Sequence, residues 1–430
     1  MQKENKVFDG SPLVAGQGRF PGIRPAGRVE SVEEYYFSKK LKEIAEMNAV
    51  GKDVINLGVG SPDMPPSQQT VEVFCREIRK DDAHGYQPYA GIPALREGFA
   101  EWYLRWYGVE LDAKREIQPL IGSKEGILHV SMAFLNPGDG VLVPNPGYPA
   151  YTSVSKLVGA DIIPYKLEEN NGWYPDFDAL ERLLAERRKA AKPAVRLMWT
   201  NYPNMPTGAD ASAGLYEQLV DFGCRHGIVI CNDNPYSFIL NEHPQSILSV
   251  SGAKEICVEL NSMSKSHNMP GWRMAMLASN ARFLQWILKV KSNVDSGQFR
   301  PMQLAVAEAL KAGKEWYDNM NVVYRSRRDV AGRIMEALGC TYDERQVGMF
   351  LWGRISDEAE SGETLANTVL YEANVFVTPG FIFGSAGDRY VRISLCCKNH
   401  LLEKALERVK QIACRTKTGR DTRSLDVNVE

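Results

Sequence analysis

Most lysines are solvated surface charges, but Lys265 stands among small polar residues directly after an apolar run. Its setting is Asn261-Ser262-Met263-Ser264-Lys265-Ser266-His267-Asn268-Met269-Pro270-Gly271-Trp272-Arg273. A partly desolvated amine has a lowered pKa and can condense with a carbonyl to form an imine. Arg273 follows eight residues later and offers a fixed cation to a phosphate. Four more segments carry chemical potential. Ile121-Gly122-Ser123-Lys124-Glu125-Gly126 leads from a strand into a helix, where free amides can bind an anion; alone it reads more simply as a capped helix. Asn145-Pro146-Gly147-Tyr148-Pro149-Ala150-Tyr151 is a stiff loop that can stack Tyr148 on a flat ligand, or a turn with a packed tyrosine. Thr200-Asn201-Tyr202-Pro203-Asn204-Met205-Pro206-Thr207-Gly208 follows another strand. Asn232-Asp233-Asn234-Pro235-Tyr236 can set a carboxylate and a phenol against one ring, although an Asp three residues before a Tyr is common by chance.

These segments need elements to bring them together. Apolar runs at Ile117–Ile121, Val141–Pro144, Asp161–Tyr165, Val195–Thr200, Ile228–Cys231 and Ile256–Leu260 read as strands. Helical periodicity lies between them, over Ala94–Tyr107, Glu125–Phe134, Tyr151–Val158, Asp178–Lys189 and Ser212–His226. That alternation predicts a mainly parallel sheet covered on both faces. Such sheets bind ligands outside the carboxyl ends of their strands, where every segment above falls. Earlier in the chain, Ser31–Asn48 reads as a helix with Ser31 as its N-cap and Tyr35 and Leu41 on one side, and Val54–Leu57 as a short strand. After Pro301 the pattern changes to one long helical stretch to about Leu338. Strands near Met349–Trp352, Val375–Thr378 and Tyr390–Leu395 then mix with helices, as in a smaller α+β domain. Four parts are expected: an arm and helix over 1–50, a large domain over 51–300, a small domain over 301–414 and a polar tail over 415–430.

The bulk numbers narrow the function. A net charge of -2 argues against nucleic acid or an anionic membrane as the main partner. No apolar run is long enough to span a bilayer and the N-terminus lacks a signal core, so a cytoplasmic location is expected. The eight cysteines include no CxxC pair and the six histidines show no ligand spacing, so no metal site is expected. Free buried thiols are the expected state.

Taken together, the five segments resemble the signature of class I/II aminotransferases, which belong to fold type I of the pyridoxal-phosphate (PLP) enzymes. The resemblance covers roughly residues 50 to 410. It implies a large domain built on a mainly parallel, seven-stranded sheet plus a smaller α+β domain. Lys265 matches the lysine that holds the cofactor as a Schiff base and acts as general base, and Asp233 the carboxylate beside the pyridine nitrogen. Tyr236 matches the phenol that bonds the 3′-oxygen, and Tyr148 the stacking ring. Ser123, Lys124, Ser262 and Arg273 match the phosphate ligands, and Tyr86 a tyrosine that reaches the neighbouring subunit's phosphate, which implies a homodimer with shared active sites. Arg392, in Tyr390-Val391-Arg392-Ile393-Ser394, matches the arginine that grips the substrate α-carboxylate. Gly60 matches a backbone contact to the same substrate. One position departs from the pattern. The family's usual Asn before Pro-Thr-Gly is Met205 here, with Asn204 one residue earlier. A thioether cannot donate a hydrogen bond, so either Asn204 replaces the missing group or Tyr236 acts alone.

The implied reaction is amino transfer from an L-amino acid to a 2-oxo acid such as 2-oxoglutarate, in a ping-pong cycle. A PLP lyase eliminating at Cβ or Cγ shares every cofactor contact and is the alternative. A regulatory module on this fold would add a helix-turn-helix domain, and the first 50 residues are too few and too rich in Gly and Pro for one. For the substrate side chain, Arg19, Arg24, Arg28, His267, Gln298 and Arg300 are candidate partners.

Overall fold

The computed structural model of the chain describes residues 24–423, with side chains as far as Ile412. Arg19 and residues 424–430 therefore lie outside the described residues. The strands are β1 (Ile55–Asn56), β2 (Ile117–Leu120), β3 (Gly140–Asn145), β4 (Asp161–Lys166), β5 (Val195–Thr200), β6 (Val229–Asp233), β7 (Cys257–Ser262), β8 (Ala275–Ala278), β9 (Phe350–Arg354), β10 (Val375–Phe376), β11 (Thr378–Pro379) and β12 (Tyr390–Ser394). Seven of them form one sheet in the order β2-β8-β7-β6-β5-β3-β4. Its residues alternate between two buried faces. Leu142, Met198 and Ile230 enter one apolar cluster, while Val141, Val143, Leu197, Trp199 and Cys231 enter the other. Burial on both sides explains why these strands read as near-continuous apolar runs.

β8 is antiparallel to both of its neighbours and is absent from the sequence reading. Its Ala-Met-Leu-Ala run has no β-branched residue and is only four residues long. The reversal matters for the site. Ala275, at the start of β8, pairs with Leu120 at the end of β2 and with Ser262 at the end of β7. Arg273 is thereby delivered to the edge where the parallel strands end.

Other departures are local. The stretch expected to be one helix from Pro301 to Leu338 is two, Arg300–Ala309 and Lys314–Ala337, divided before Gly313. Helices Gln68–Glu77 and Ala281–Lys291 add to those expected. The last helix, Asn399–Arg423, extends into the stretch read as a polar tail. The N-terminal helix is Tyr36–Ala49, and Ser31 does not cap it. Ser31 follows a short turn of helix, Gly27–Glu30, and its hydroxyl donates to the Arg28 carbonyl at 2.7 Å. Tyr35 consequently sits at the mouth of the helix instead of on its side. Cys75 and Cys224 are exposed, whereas Cys231, Cys257, Cys340 and Cys397 are buried free thiols.

The strands after residue 340 make an antiparallel sheet, β11-β12-β9, and one of them, β10, pairs in parallel with the early strand β1. The pair ties the Gly58–Gly60 turn to this part of the chain. A Cβ on Gly60 would lie 2.2 Å from the Phe350 ring, so only glycine lets the two approach.

Candidate functional site

A cavity of about 430 Å³ opens at the carboxyl edge of the large sheet. Gly60, Ser123, Lys124, Tyr148, Asp233, Tyr236, Ser262, Lys265, Arg273 and Arg392 all line it. The structure therefore brings together ten of the twelve residues singled out in the sequence; Asn204 and Tyr86 stand apart.

Lys265 lies in the short helix Met263–Ser266 that follows β7. Its amine donates to the Gly60 carbonyl. Burial holds its pKa below the ordinary lysine range, helped by Arg392 and Arg273. Asp233 ends β6. Tyr151 donates to its Oδ2 at 3.0 Å, while Oδ1 is buried without a partner. Burial pushes this carboxyl up to about 7. A buried acceptor left unpaired is costly unless something fills the place beside it. A protonated ring nitrogen is the group that such an oxygen fits. Tyr148 and Tyr151 meet edge to face at 5.6 Å, and Tyr151 stacks on Trp199 at 5.1 Å, which fixes the Tyr148 ring on the cavity wall.

The anion end is built at the start of helix Ser123–Phe134. Ser123 Oγ is buried and unpartnered. Gly122 has φ +81°, and a Cβ there would lie 2.1 Å from Arg273 Nη2, so glycine admits the guanidinium. Lys124 Nζ lies 5.8 Å from the Tyr148 ring centroid. Burial and the nearby Arg273 lower its pKa. Two cations and a helix start converge with an idle hydroxyl, a donor set that fits a phosphate dianion.

Arg392, on β12, marks the other end. Its Nη2 donates to the Gly58 carbonyl at 2.9 Å and its Nη1 to Met205 Sδ at 3.1 Å, while Nε is buried without a partner. The Phe350 and Phe383 rings cover the guanidinium, with centroids at 3.8 and 4.5 Å. Among the described residues no carboxylate pairs with it. A buried cation held by rings and one carbonyl is a prepared place for an anion.

Asn204 does not join the site. Its amide donates to the Asn201 carbonyl at 3.2 Å, and its Oδ1 accepts from the Thr207 amide and hydroxyl at 3.2 and 2.8 Å. The loop consumes the carboxamide, so Asn204 does not replace the group missing at Met205. Tyr86 is 95% exposed and outside the cavity of its own chain. Among the substrate-side candidates, Arg300 pairs with Asp82 at 2.7 Å, His267 is buried against Ser266 and Tyr317, and Gln298 bonds backbone carbonyls. Arg24 and Arg28 are exposed.

The sequence reading missed Tyr35, Phe37, Asn201, Tyr151, Phe350 and Phe383. Asn201 and Tyr151 lay inside quoted loops, where their neighbours drew attention. Asn201 donates to the Asp233 carbonyl and accepts from the Met205 amide at 2.8 Å, so it sets the position of both. The aromatic residues carry no local signal; they are distant in sequence and meet only in the fold.

Comparison with known proteins agrees with this geometry. The family model for aminotransferase class I and II matches residues 52–409. An LL-diaminopimelate aminotransferase of Desulforudis audaxviator is 38% identical over 387 residues, 90% of this chain and 97% of that protein. The enzyme of the same name from Dehalococcoides mccartyi is 35% identical over 384 residues, 89% and 97% of the two chains. Among solved structures, BacF of Bacillus subtilis superimposes with a TM-score of 0.85 at 34% identity, covering 91% of this chain and 98% of that one. An aromatic aminotransferase of Pyrococcus horikoshii gives 0.78 at 29% identity, covering 87% and 99%. The elimination alternative finds no support in these relatives.

Proposed function

Since this chain belongs to the class I and II aminotransferases, we propose that the cavity at the sheet edge is its active site, with Lys265 as the residue that binds the cofactor and moves the proton. The protein is a PLP-dependent enzyme that transfers an amino group between an amino acid and a 2-oxo acid. PLP, when bound, supplies an electron sink that makes the substrate Cα–H bond acidic. The observation that carries the assignment is the set of buried groups without a partner (Asp233 Oδ1, Ser123 Oγ, Arg392 Nε), all on residues that line one cavity with Lys265.

Roles follow from chemistry at each atom. Lys265 Nζ, kept weakly basic by burial, would hold the cofactor and, as a free amine, would carry the proton from the substrate Cα. Asp233 holds the proton of the ring nitrogen by its charge, and Tyr151 and Asn201 hold Asp233 in place. Tyr148 stacks on the ring and Tyr236 donates to the 3′-oxygen. Ser123, Lys124, Ser262 and Arg273 hold the phosphate. Arg392 takes the α-carboxylate in its fork, and Gly60 offers backbone to the same substrate. Residues 51–300 act as the cofactor-binding domain, and 301–414 as the smaller domain that brings Arg392. Tyr86, exposed in a single chain, reaches the phosphate of a second copy, so the working unit is a homodimer. No helix among the described residues is long and apolar enough to cross a membrane, which is compatible with work in the cytoplasm.

Purified holoenzyme given a panel of L-amino acids, LL-diaminopimelate among them, with 2-oxoglutarate or pyruvate as acceptor tests the reading. Equimolar formation of the two products without free ammonia is expected. Release of ammonia without an acceptor would overturn it.

A further inference from the structure

The Gly58–Gly60 turn brings two backbone carbonyls to the site, and both are engaged. Gly58 accepts from Arg392 Nη2 at 2.9 Å, and Gly60 accepts from the Lys265 amine. The turn begins a strap, Gly58-Val59-Gly60-Ser61-Pro62-Asp63-Met64-Pro65, that runs from β1 to helix Gln68–Glu77. Its shape therefore sets how far the Arg392 fork stands from the Lys265 amine. Glycines on both sides of Val59 give the backbone little stiffness of its own, so the strap has to be held from outside.

Its near end is tied at Leu57, whose carbonyl accepts from the Ser394 amide at 2.7 Å, and at Asn56, whose Oδ1 accepts from the Gly58 and Val59 amides at 2.9 and 3.3 Å. Its far end is tied by Arg327, from helix Lys314–Ala337. Nη1 and Nη2 donate to the two oxygens of Asp63 at 2.6 and 2.9 Å, and Nη1 also donates to the Leu395 carbonyl at 3.0 Å. Leu395 directly follows β12, three residues after Arg392. One guanidinium thus joins the far end of the strap to the end of the strand that carries Arg392. Asn268 adds a longer bond, from Nδ2 to the Pro65 carbonyl at 3.3 Å. The Arg327 side chain is 5% exposed and that of Asp63 24%, and Arg327 Nε is buried without a partner. Desolvation offsets much of the attraction in such a pair, so its net contribution to stability is small. What the two-pronged contact supplies is geometry, since it fixes a distance and a plane together. Without it the strap is free to turn about its glycines, and the Gly60 carbonyl shifts relative to Arg392.

We propose that Asp63 and Arg327 are positioning residues for amino transfer: by clamping the strap to the end of β12 they keep Arg392 and the Lys265 amine at the spacing that a substrate's α-carboxylate and Cα require. Neither residue lines the cavity, and both act through Gly58 and Gly60. This rests on the aminotransferase reading and deepens it. The pair acts on the substrate end, so its loss weakens the grip on a carboxylate and leaves the phosphate and ring contacts of the cofactor as they are.

The test compares wild-type holoenzyme with Arg327→Lys, which keeps the charge and removes the fork, with Asp63→Asn, and with a double variant, Arg327→Met with Asp63→Leu. For the amino donor that the wild type turns over fastest, KM should rise about 10-fold in each variant, with a smaller change in turnover. Binding of propanoate, a carboxylate that cannot turn over, should weaken by the same factor when followed by the visible absorbance of the holoenzyme. Titration of each apoenzyme with cofactor should give the wild-type affinity. Because the pair acts as a unit, the double variant should lose no more than either single variant, and it should unfold at the wild-type denaturant concentration or above it. Wild-type KM and propanoate affinity in Arg327→Lys and Asp63→Asn would overturn the proposal. So would an equal loss of cofactor affinity, or a double variant of lowered stability and unchanged KM, either of which makes the pair a brace of the fold. Inertness of the wild type toward every donor would overturn the aminotransferase reading instead, and propanoate binding would still judge the pair.

Discussion

The two ends of the cavity are made differently. The cofactor end is assembled at strand termini of one sheet: Asp233 is held by Tyr151 at its side chain and by Asn201 at its backbone carbonyl, and Gly122 leaves room for the Arg273 guanidinium. The substrate end is a cation wrapped in rings, with Met205 sulfur and one carbonyl as its polar contacts among the described residues. The first end is specified by hydrogen-bond geometry, which tolerates little change. The second is specified by shape, with no carboxylate among the described residues paired to its cation. Substitutions that act on one end and spare the other separate the two.

The largest effect is expected at the cofactor end. Lys265→Ala removes the group that both binds the cofactor and carries the proton, so turnover should fall by about 10⁴-fold or more. Borohydride reduction followed by peptide mapping should find a cofactor adduct on Lys265 in the wild type and none in the variant. Full activity of Lys265→Ala with amino donors would refute the central assignment.

Asp233→Asn should follow, with turnover reduced about 10³-fold through loss of the charge that keeps the ring nitrogen protonated. It also has a signature without cofactor. In the apoenzyme the Asp233 carboxyl is raised from 3.8 to about 7. A raised carboxyl favours the folded state while protonated, so its contribution is present below about pH 4 and is lost as pH rises toward 7. The ceiling on that loss is about 4 kcal/mol. Apo wild type should therefore lose denaturant stability relative to Asp233→Asn over this window. Parallel pH profiles of the two would show that the carboxyl is not desolvated as described.

At the substrate end, Arg392→Lys keeps the charge and removes the planar fork. KM for the amino donor should rise about 100-fold, ~3 kcal/mol, with a smaller change in turnover and no change in cofactor affinity. An equal loss for cofactor would show that the two ends are coupled.

Legibility from sequence follows the same division. The cofactor end lies in short contiguous segments, each with Gly, Pro or small residues beside a reactive group, and of its positions read from sequence all but Asn204 and Tyr86 line one cavity. The sheet was legible wherever β-branched residues marked a buried strand; β8, with Ala-Met-Leu-Ala, carried no such mark. The aromatic wall was not legible at all. Tyr35, Phe350 and Phe383 are ordinary apolar residues in sequence, and only the β1-β10 pairing and the β9-β12 register bring them to Arg392. The sequence predicts the N-terminal helix from Ser31, a good capping residue, whereas the helix begins at Tyr36 and Tyr35 stands at the cavity mouth.

The smallest expected effect joins the two ends. Met205 touches Arg392 at 3.1 Å and occupies the position where the family usually carries Asn. Asn204 is tied into its own loop and does not take over, so in the proposed site Tyr236 is the donor to the cofactor's 3′-oxygen. Burial and Asp233 raise the Tyr236 pKa, so the phenol stays protonated and can donate throughout the working range. Met205→Asn would add a second donor to an oxygen that is negatively charged in the deprotonated form. Stabilising that form lowers the pH at which the visible absorbance of the holoenzyme changes, because the deprotonated state then persists to lower pH. A hydrogen bond to a charged group contributes about 1.5 to 3 kcal/mol, and partial screening by Tyr236 brings the expected fall to about one pH unit. The same substitution replaces a sulfur acceptor with a carbonyl oxygen beside Arg392, so a modest change in donor KM should accompany the spectral shift. A spectral shift with unchanged KM would show that the ends are independent at this residue. Superimposable titrations would show that Tyr236 alone satisfies the oxygen and that methionine costs the cofactor nothing.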